Sequence, residues 1–370
     1  MKKIIAILVV FAMVTTVAFA ETSINASIET RWTIAQGSTS GGSVTTVGEV
    51  YAATIGFTGA NDEGTFGGRM QYVFNAVRGH NYDTTIGNAK LEIAYAWWEP
   101  IPQLRLFLGQ DGDGMFNTAG LSRWGHHRMD RGIAVEDWDA GNYLIGNWDE
   151  FGMALIVKPI DGLAINLAFN IPGVNPSSFT PSSANAIELG DWFKGIQAQV
   201  SYALDGVGTF LVTYRGENHR QYNNRIGLTY QSAGFVDGLA FEVGGNYDLS
   251  SNVAAENALY FGAGVHYSLD NFGVRFRAML HPSSVAFMYK VDVMPFYAFS
   301  FGTLFCNIRI ANFHDHDDKY VGNGNIGFHI NPYLRLAIGG GDFRFGVMFE
   351  DDDGNGTFGW KVPISMLISF

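Results

Sequence analysis

Asn271-Phe272-Gly273-Val274-Arg275-Phe276-Arg277-Ala278-Met279-Leu280 is the stretch that decides the fold. Phe272, Val274, Phe276, Ala278 and Leu280 share one parity, while Arg275 and Arg277 occupy the other. An extended chain places alternate residues on opposite faces, so one face of this strand suits oil and the other suits water. The same alternation recurs from Glu21 to Phe370, in stretches of about ten residues, the length with which a strand crosses a bilayer. A soluble sandwich also alternates, but it turns its apolar face inward and carries charge outside. Only 16% of this chain is charged, which favours a closed membrane barrel around a wet lumen.

The first twenty residues carry a different signal. Lys2 and Lys3 precede an apolar run that ends in Ala18-Phe19-Ala20, a small-residue cleavage pattern, so residues 1–20 read as a secretory signal peptide and residues 21–370 as the barrel. No later stretch offers the roughly 18 consecutive apolar residues of a spanning helix. A bilayer can then be crossed only by strands closed on themselves, because lipid leaves no partner for an unpaired backbone group. The single cysteine, Cys306, cannot form an intrachain disulfide. Without Lys2 and Lys3 the balance is 21 − 35 = −14, which argues against a nucleic-acid partner.

Tight turns are expected at Pro100-Ile101-Pro102, Asp161-Gly162, Asp205-Gly206, Asp237-Gly238, Asp270-Asn271 and near Met294-Pro295. Between them lie longer polar connections, the longest spanning residues 112–149. Short turns at one end and long loops at the other predict an all-β, transmembrane antiparallel barrel of about 18 strands, with 16 as the alternative count. Pro332 to Gly339 reads as a ninth turn or an extra short strand.

With the more apolar parity facing lipid, the other places Arg31, Arg69, Arg105, Arg225, Arg275, Arg277, Arg309 and Arg344 on the lumen wall, together with Lys90 and Lys290. Glu29, Glu92, Glu242, Asp292 and Asp342 share that parity, leaving bases ahead of acids by about two to one on the wall of an acidic protein. Such a wall favours anions.

Residues 112–149 form the third connection on the long-loop side and hold Arg123, His126, His127, Arg128, Asp130, Arg131, Glu136 and Asp137. Loops longer than about 15 residues are usually functional. Here the chain resembles the porins, an architectural likeness that covers the whole mature chain and rests on no sequence motif. The resemblance implies that this third outer loop folds into the barrel as a constriction; the plainer reading is a lid over the mouth. The final strand, Thr357 to Phe370, ends on an aromatic residue after alternating apolar positions. It is similar to the segment by which outer-membrane proteins engage their assembly machinery. Gly339-Gly340-Gly341-Asp342-Phe343 is similar to porin-like barrels of spirochaetes. The porin resemblance also implies a homotrimer, although lipid-facing and subunit-facing strands would carry the same apolar parity.

Other constellations carry less. His314-Asp315-His316-Asp317-Asp318 contains metal-ligand types, but adjacent side chains on an extended chain point apart, so it reads as a solvated charge run. Asp351-Asp352-Asp353-Gly354-Asn355-Gly356 lacks the glutamate of a calcium loop, since the twelfth position is Val362. His126-His127 reads as polar lining. No metal or cofactor is expected. No nucleophile elbow, HExxH helix or phosphate loop occurs, so no enzymatic activity is expected. Phe116, Trp124, Trp138, Tyr143 and Trp148 in the long loop could stack on sugars, but packing against the wall or at the membrane interface is the favoured reading, because Trp and Tyr are enriched at interfaces anyway. Cys306 shares the parity of Leu304, Ile308 and Ile310 and reads as a small lipid-facing residue.

These readings converge on an exported outer-membrane porin, a passive water-filled channel for small hydrophilic solutes or ions. A saccharide- or anion-selective channel is the rival within transport, and a structural or adhesive surface barrel the rival outside it.

Overall fold

The computed structural model describes residues 21–39, 47–75, 89–110, 151–170, 174–175, 180–181, 196–216, 224–250, 258–282, 287–312, 314–316, 319–321, 326–351 and 356–370. These residues are strands and turns, with no helix among them. Eighteen staves run in chain order: β1 (Glu21–Ser38), β2 (Val47–Ala60), β3 (Phe66–Asn75), β4 (Ala89–Ile101), β5 (Leu104–Gln110), β6 (Phe151–Ile160), β7 (Leu163–Asn170), β8 (Ile196–Leu204), β9 (Gly208–Arg215), β10 (Arg225–Ser232), β11 (Leu239–Asp248), β12 (Leu259–Leu269), β13 (Phe272–Pro282), β14 (Phe287–Phe299), β15 (Gly302–Ala311), β16 (Gly327–Ile338), β17 (Gly341–Gly346 continued by Met348–Asp351) and β18 (Gly359–Ser369). Each pairs antiparallel with the next, and β18 pairs with β1 from Ser27↔Ser369 to Ser38↔Gly359, which closes the barrel. Mutual backbone bonds between Ala26 and Phe370, at 3.2 and 2.8 Å, end the seam. Two short ladders, Val174–Asn175 with Thr180–Pro181 and His314–His316 with Lys319–Val321, lie outside the wall.

The alternation sorts side chains as the sequence predicts. On β13, Phe272, Phe276 and Leu280 are exposed on the outside, whereas Arg277 and Met279 are buried within. An 11-residue strand spans about 36 Å, or about 26 Å along the axis when tilted by about 45°, which matches the apolar thickness of a bilayer.

Tight turns lie at one end of the barrel. Gly162, Gly206, Gly238 and Gly340 supply positive φ there, and Asp270 does so without being glycine, at 49°. Aspartate tolerates this left-handed conformation better than most residues because its short side chain can bond locally.

The turn expected near Met294-Pro295 is not a turn, and Pro332 to Gly339, read as a turn or an extra short strand, is strand as far as Ile338. β14 runs through Pro295 to Phe299, and β16 runs through Pro332 to Ile338; the reversals fall instead at Ser300-Phe301 and Gly339-Gly340. A proline lacks the N–H that a central strand needs, so the barrel must compensate locally. At Pro332 the Val347 N–H donates to the Pro332 carbonyl at 3.1 Å, but no proline donor answers the Val347 carbonyl. Asn331 fills that place, its Nδ2 donating to Val347 O at 2.8 Å, and β17 is interrupted at this point. Asn331→Ala therefore lowers the unfolding free energy by about 1–3 kcal/mol, the usual consequence of stranding a half-buried carbonyl. Urea unfolding in detergent measures this; Asn331→Asp, which cannot donate, should show the same loss.

Candidate functional site

The inner parity of β13 to β17 gathers charge in register. Arg277, Asp292 and Arg309 stand directly opposite one another on β13, β14 and β15. Arg277 Nη2 donates to Asp292 Oδ2 at 3.0 Å, and Arg309 Nε donates to Oδ1 at 2.8 Å. All three are under one tenth exposed. Towards the tight turns, Arg335 and Arg344 also face each other across neighbouring strands, a like-charge pairing that would repel. Asp342 lies two residues from Arg344 and so on the same face, where it bridges the two. It accepts from Arg344 Nε at 2.7 Å and from Arg335 Nη2 at 2.9 Å. Each trio carries 2 − 1 = +1.

Elsewhere opposite charges cancel singly. Arg225 donates to Asp248 at 3.1 Å and lies 4.9 Å over the Tyr260 ring, which stacks on His281 at 4.0 Å. Arg105 pairs with Glu99, and Lys361 with Glu350, both at 2.5 Å.

Among the described residues, the buried charged side chains are six basic (Arg215, Arg225, Arg277, Lys290, Arg309, Arg344) and five acidic (Glu29, Glu242, Asp248, Asp292, Asp342). That balance is more even than the two-to-one ratio expected from parity. Asp248 sits at the last residue of β11, where alternation gives little guidance. The positive excess is concentrated in the two trios and in the partly exposed Arg69 and Arg275.

The inner face also carries aromatic tracts. Phe296, Phe305 and Tyr333 form a ladder across β14 to β16, with ring centroids 5.6 and 5.0 Å apart. Arg275 lies 5.4 Å from the Phe296 centroid. A second cluster packs Tyr95, Trp97 and Ile156 against buried Phe107, Ala154 and Ala168. Gly273 stands opposite Phe296, and Gly67 opposite Trp97. A Cβ at either glycine would meet the ring, so glycine is what lets each ring lie flat against the sheet.

Arg225, Arg277, Arg309 and Arg344 thus lie on the buried inner face, and Arg69, Arg105 and Arg275 lie on the same face with partial exposure. Arg69 donates to Gln71 at 3.0 Å. Arg31 is placed only by its backbone, which pairs with Glu49 and Ser365. Arg123, His126, Arg128, Asp130, Arg131, Glu136 and Asp137 lie outside the described residues, as do residues 1–20. Arg215, Asp248 and Arg335 join the inner face without having been singled out from sequence. Arg335 falls in the segment that reads as a turn once Pro332 is taken to end a strand.

A closed antiparallel barrel of eighteen strands, apolar outside and charged within, defines a porin-like β-barrel. No protein-family model matches the chain, and no curated protein is similar to it by sequence. Solved structures are similar in fold. A protein described under asymmetric conductivity of engineered proteins has a TM-score of 0.50 at 14% identity, covering 95% of this chain and 100% of its own. A triple mutant of the Rhodopseudomonas blastica porin has a TM-score of 0.49 at 13% identity, with the same coverage of both chains. At such identity the likeness concerns fold alone, and it does not bear on a spirochaetal type.

Proposed function

We propose that the chain is an outer-membrane porin, a passive water-filled channel for small hydrophilic solutes or ions with a bias towards anions. The observation that carries this reading is the two-sided wall: charge and amide groups inside, large apolar side chains such as Ile24, Leu228 and Phe272 exposed outside. Barrels of about 16–18 strands leave an aqueous channel, which smaller barrels fill with side chains. The two net-positive trios support anion preference, because fixed charge at close quarters sets selectivity. Arg31, Arg69, Arg105, Arg225, Arg275, Arg277, Arg309 and Arg344 are its wall residues, and the connection from 112 to 149 is its constriction. Residues 1–20 direct export and are removed near Ala20. β18, ending at the exposed Phe370, presents the chain to the assembly machinery, and apolar outer faces pack into a homotrimer within lipid. The mechanism is diffusion with no chemical step.

Purified protein in a planar bilayer should give stepwise ohmic conductance, with reversal potentials in a salt gradient that report anion preference. A folded, inserted barrel that never conducts would favour a structural or adhesive role, and saturable block by a neutral sugar would favour a saccharide channel.

A further inference from the structure

We infer that the inner wall near the tight-turn end of β13 to β17 is a binding station for planar aromatic carboxylates, an assignment that rests on the channel reading and gives it a preferred solute. The station has a cationic part and an aromatic part in one place. Arg335, two residues from Tyr333 on the same face, stands opposite Arg344 with Asp342 bridging them, and Arg275 lies over Phe296, so these four groups sum to 3 − 1 = +2. The Arg335 side chain is 48% exposed; its Nε and Nη2 already contact Asp342, and its Nη1 edge has donors for a second carboxylate.

The aromatic part is the Phe296–Phe305–Tyr333 ladder. Phe305 and Tyr333 are buried and form its floor, while Phe296 is only partly buried and carries Arg275 at 5.4 Å. Arg275, Phe296 and Arg335 each lie three residues from the tight-turn end of their strands, at Phe272, Phe299 and Ile338. At about 3.4 Å per residue this sets the station about 10 Å inside the rim. A solute with a carboxylate and a flat apolar body satisfies both parts together. Inorganic anions would use only the charge. Neutral sugars would leave the charge unanswered.

The test is calorimetric titration of the detergent-folded full chain with sodium benzoate, sodium acetate and glucose, followed by benzoate addition to the protein in a planar bilayer. Benzoate should bind saturably and acetate about tenfold more weakly, the difference expected when a ring contact of cation–π strength is lost. Phe296→Leu should bring benzoate down to the acetate level, whereas Arg335→Gln should weaken both acids in parallel. Equal binding of benzoate and acetate, preference for glucose, or benzoate binding indifferent to Arg335→Gln each overturns the station. Because calorimetry needs no conductance, a barrel that binds benzoate but passes no current would sink the channel and keep the station. One that conducts without preferring benzoate would do the reverse.

Discussion

Asp292→Ala should lower the unfolding free energy by about 3–5 kcal/mol, the loss expected when one member of a buried ion group is removed and the others keep their charge. Asp292 bridges Arg277 and Arg309, both of which are almost wholly enclosed. Its removal would leave two guanidiniums facing each other in a region with little water. Asp342→Ala should cost less, because Arg335 is half exposed and can recover solvation. Urea unfolding of both variants in the same detergent measures the contrast. Equal small losses at the two sites would mean that the Asp292 trio is better hydrated than its burial indicates.

The second large effect separates neighbours in sequence. Val200 is 42% exposed on the outer face near the middle of β8, and Ser201 turns inward, opposite Leu211 and Ala164. Val200→Arg should cost about 2–4 kcal/mol in a bilayer, as a charge at mid-depth on the lipid face does, and should reduce insertion into vesicles. Ser201→Arg should insert like the parent protein and shift selectivity further towards anions. Insertion yield into lipid vesicles, read by the band shift of folded barrels, distinguishes the two. If both variants insert equally, the outer face does not meet hydrocarbon.

Much of this architecture is legible in the sequence because a membrane barrel makes nearly every residue obey one rule. Alternation locates Phe272 through Leu280 and gives their orientation, and Asp-Gly pairs mark three of the reversals. The rule fails where a second force overrides it. Pro295 and Pro332 read as strand ends because proline normally is excluded from central strands; β14 and β16 continue through them, and at Pro332 a side-chain amide makes good the missing donor. Phe305 shares the parity of Arg309 and is legible as an inner residue, whereas the turns read at Pro295 and Pro332 break the parity count just before Phe296 and Tyr333. The trios are half legible. Parity gives Arg277, Asp292 and Arg309 one face, but their contact depends on strand register, which composition does not encode.

The bonds joining Ala26 to Phe370 have a consequence for how the molecule is made. Until β18 reaches β1, every partial sheet has two raw margins, each able to recruit a stranger. Zippering these far-separated segments is slow, since loop closure must precede any reward. An escort that shielded those margins from synthesis to final docking would remove that hazard.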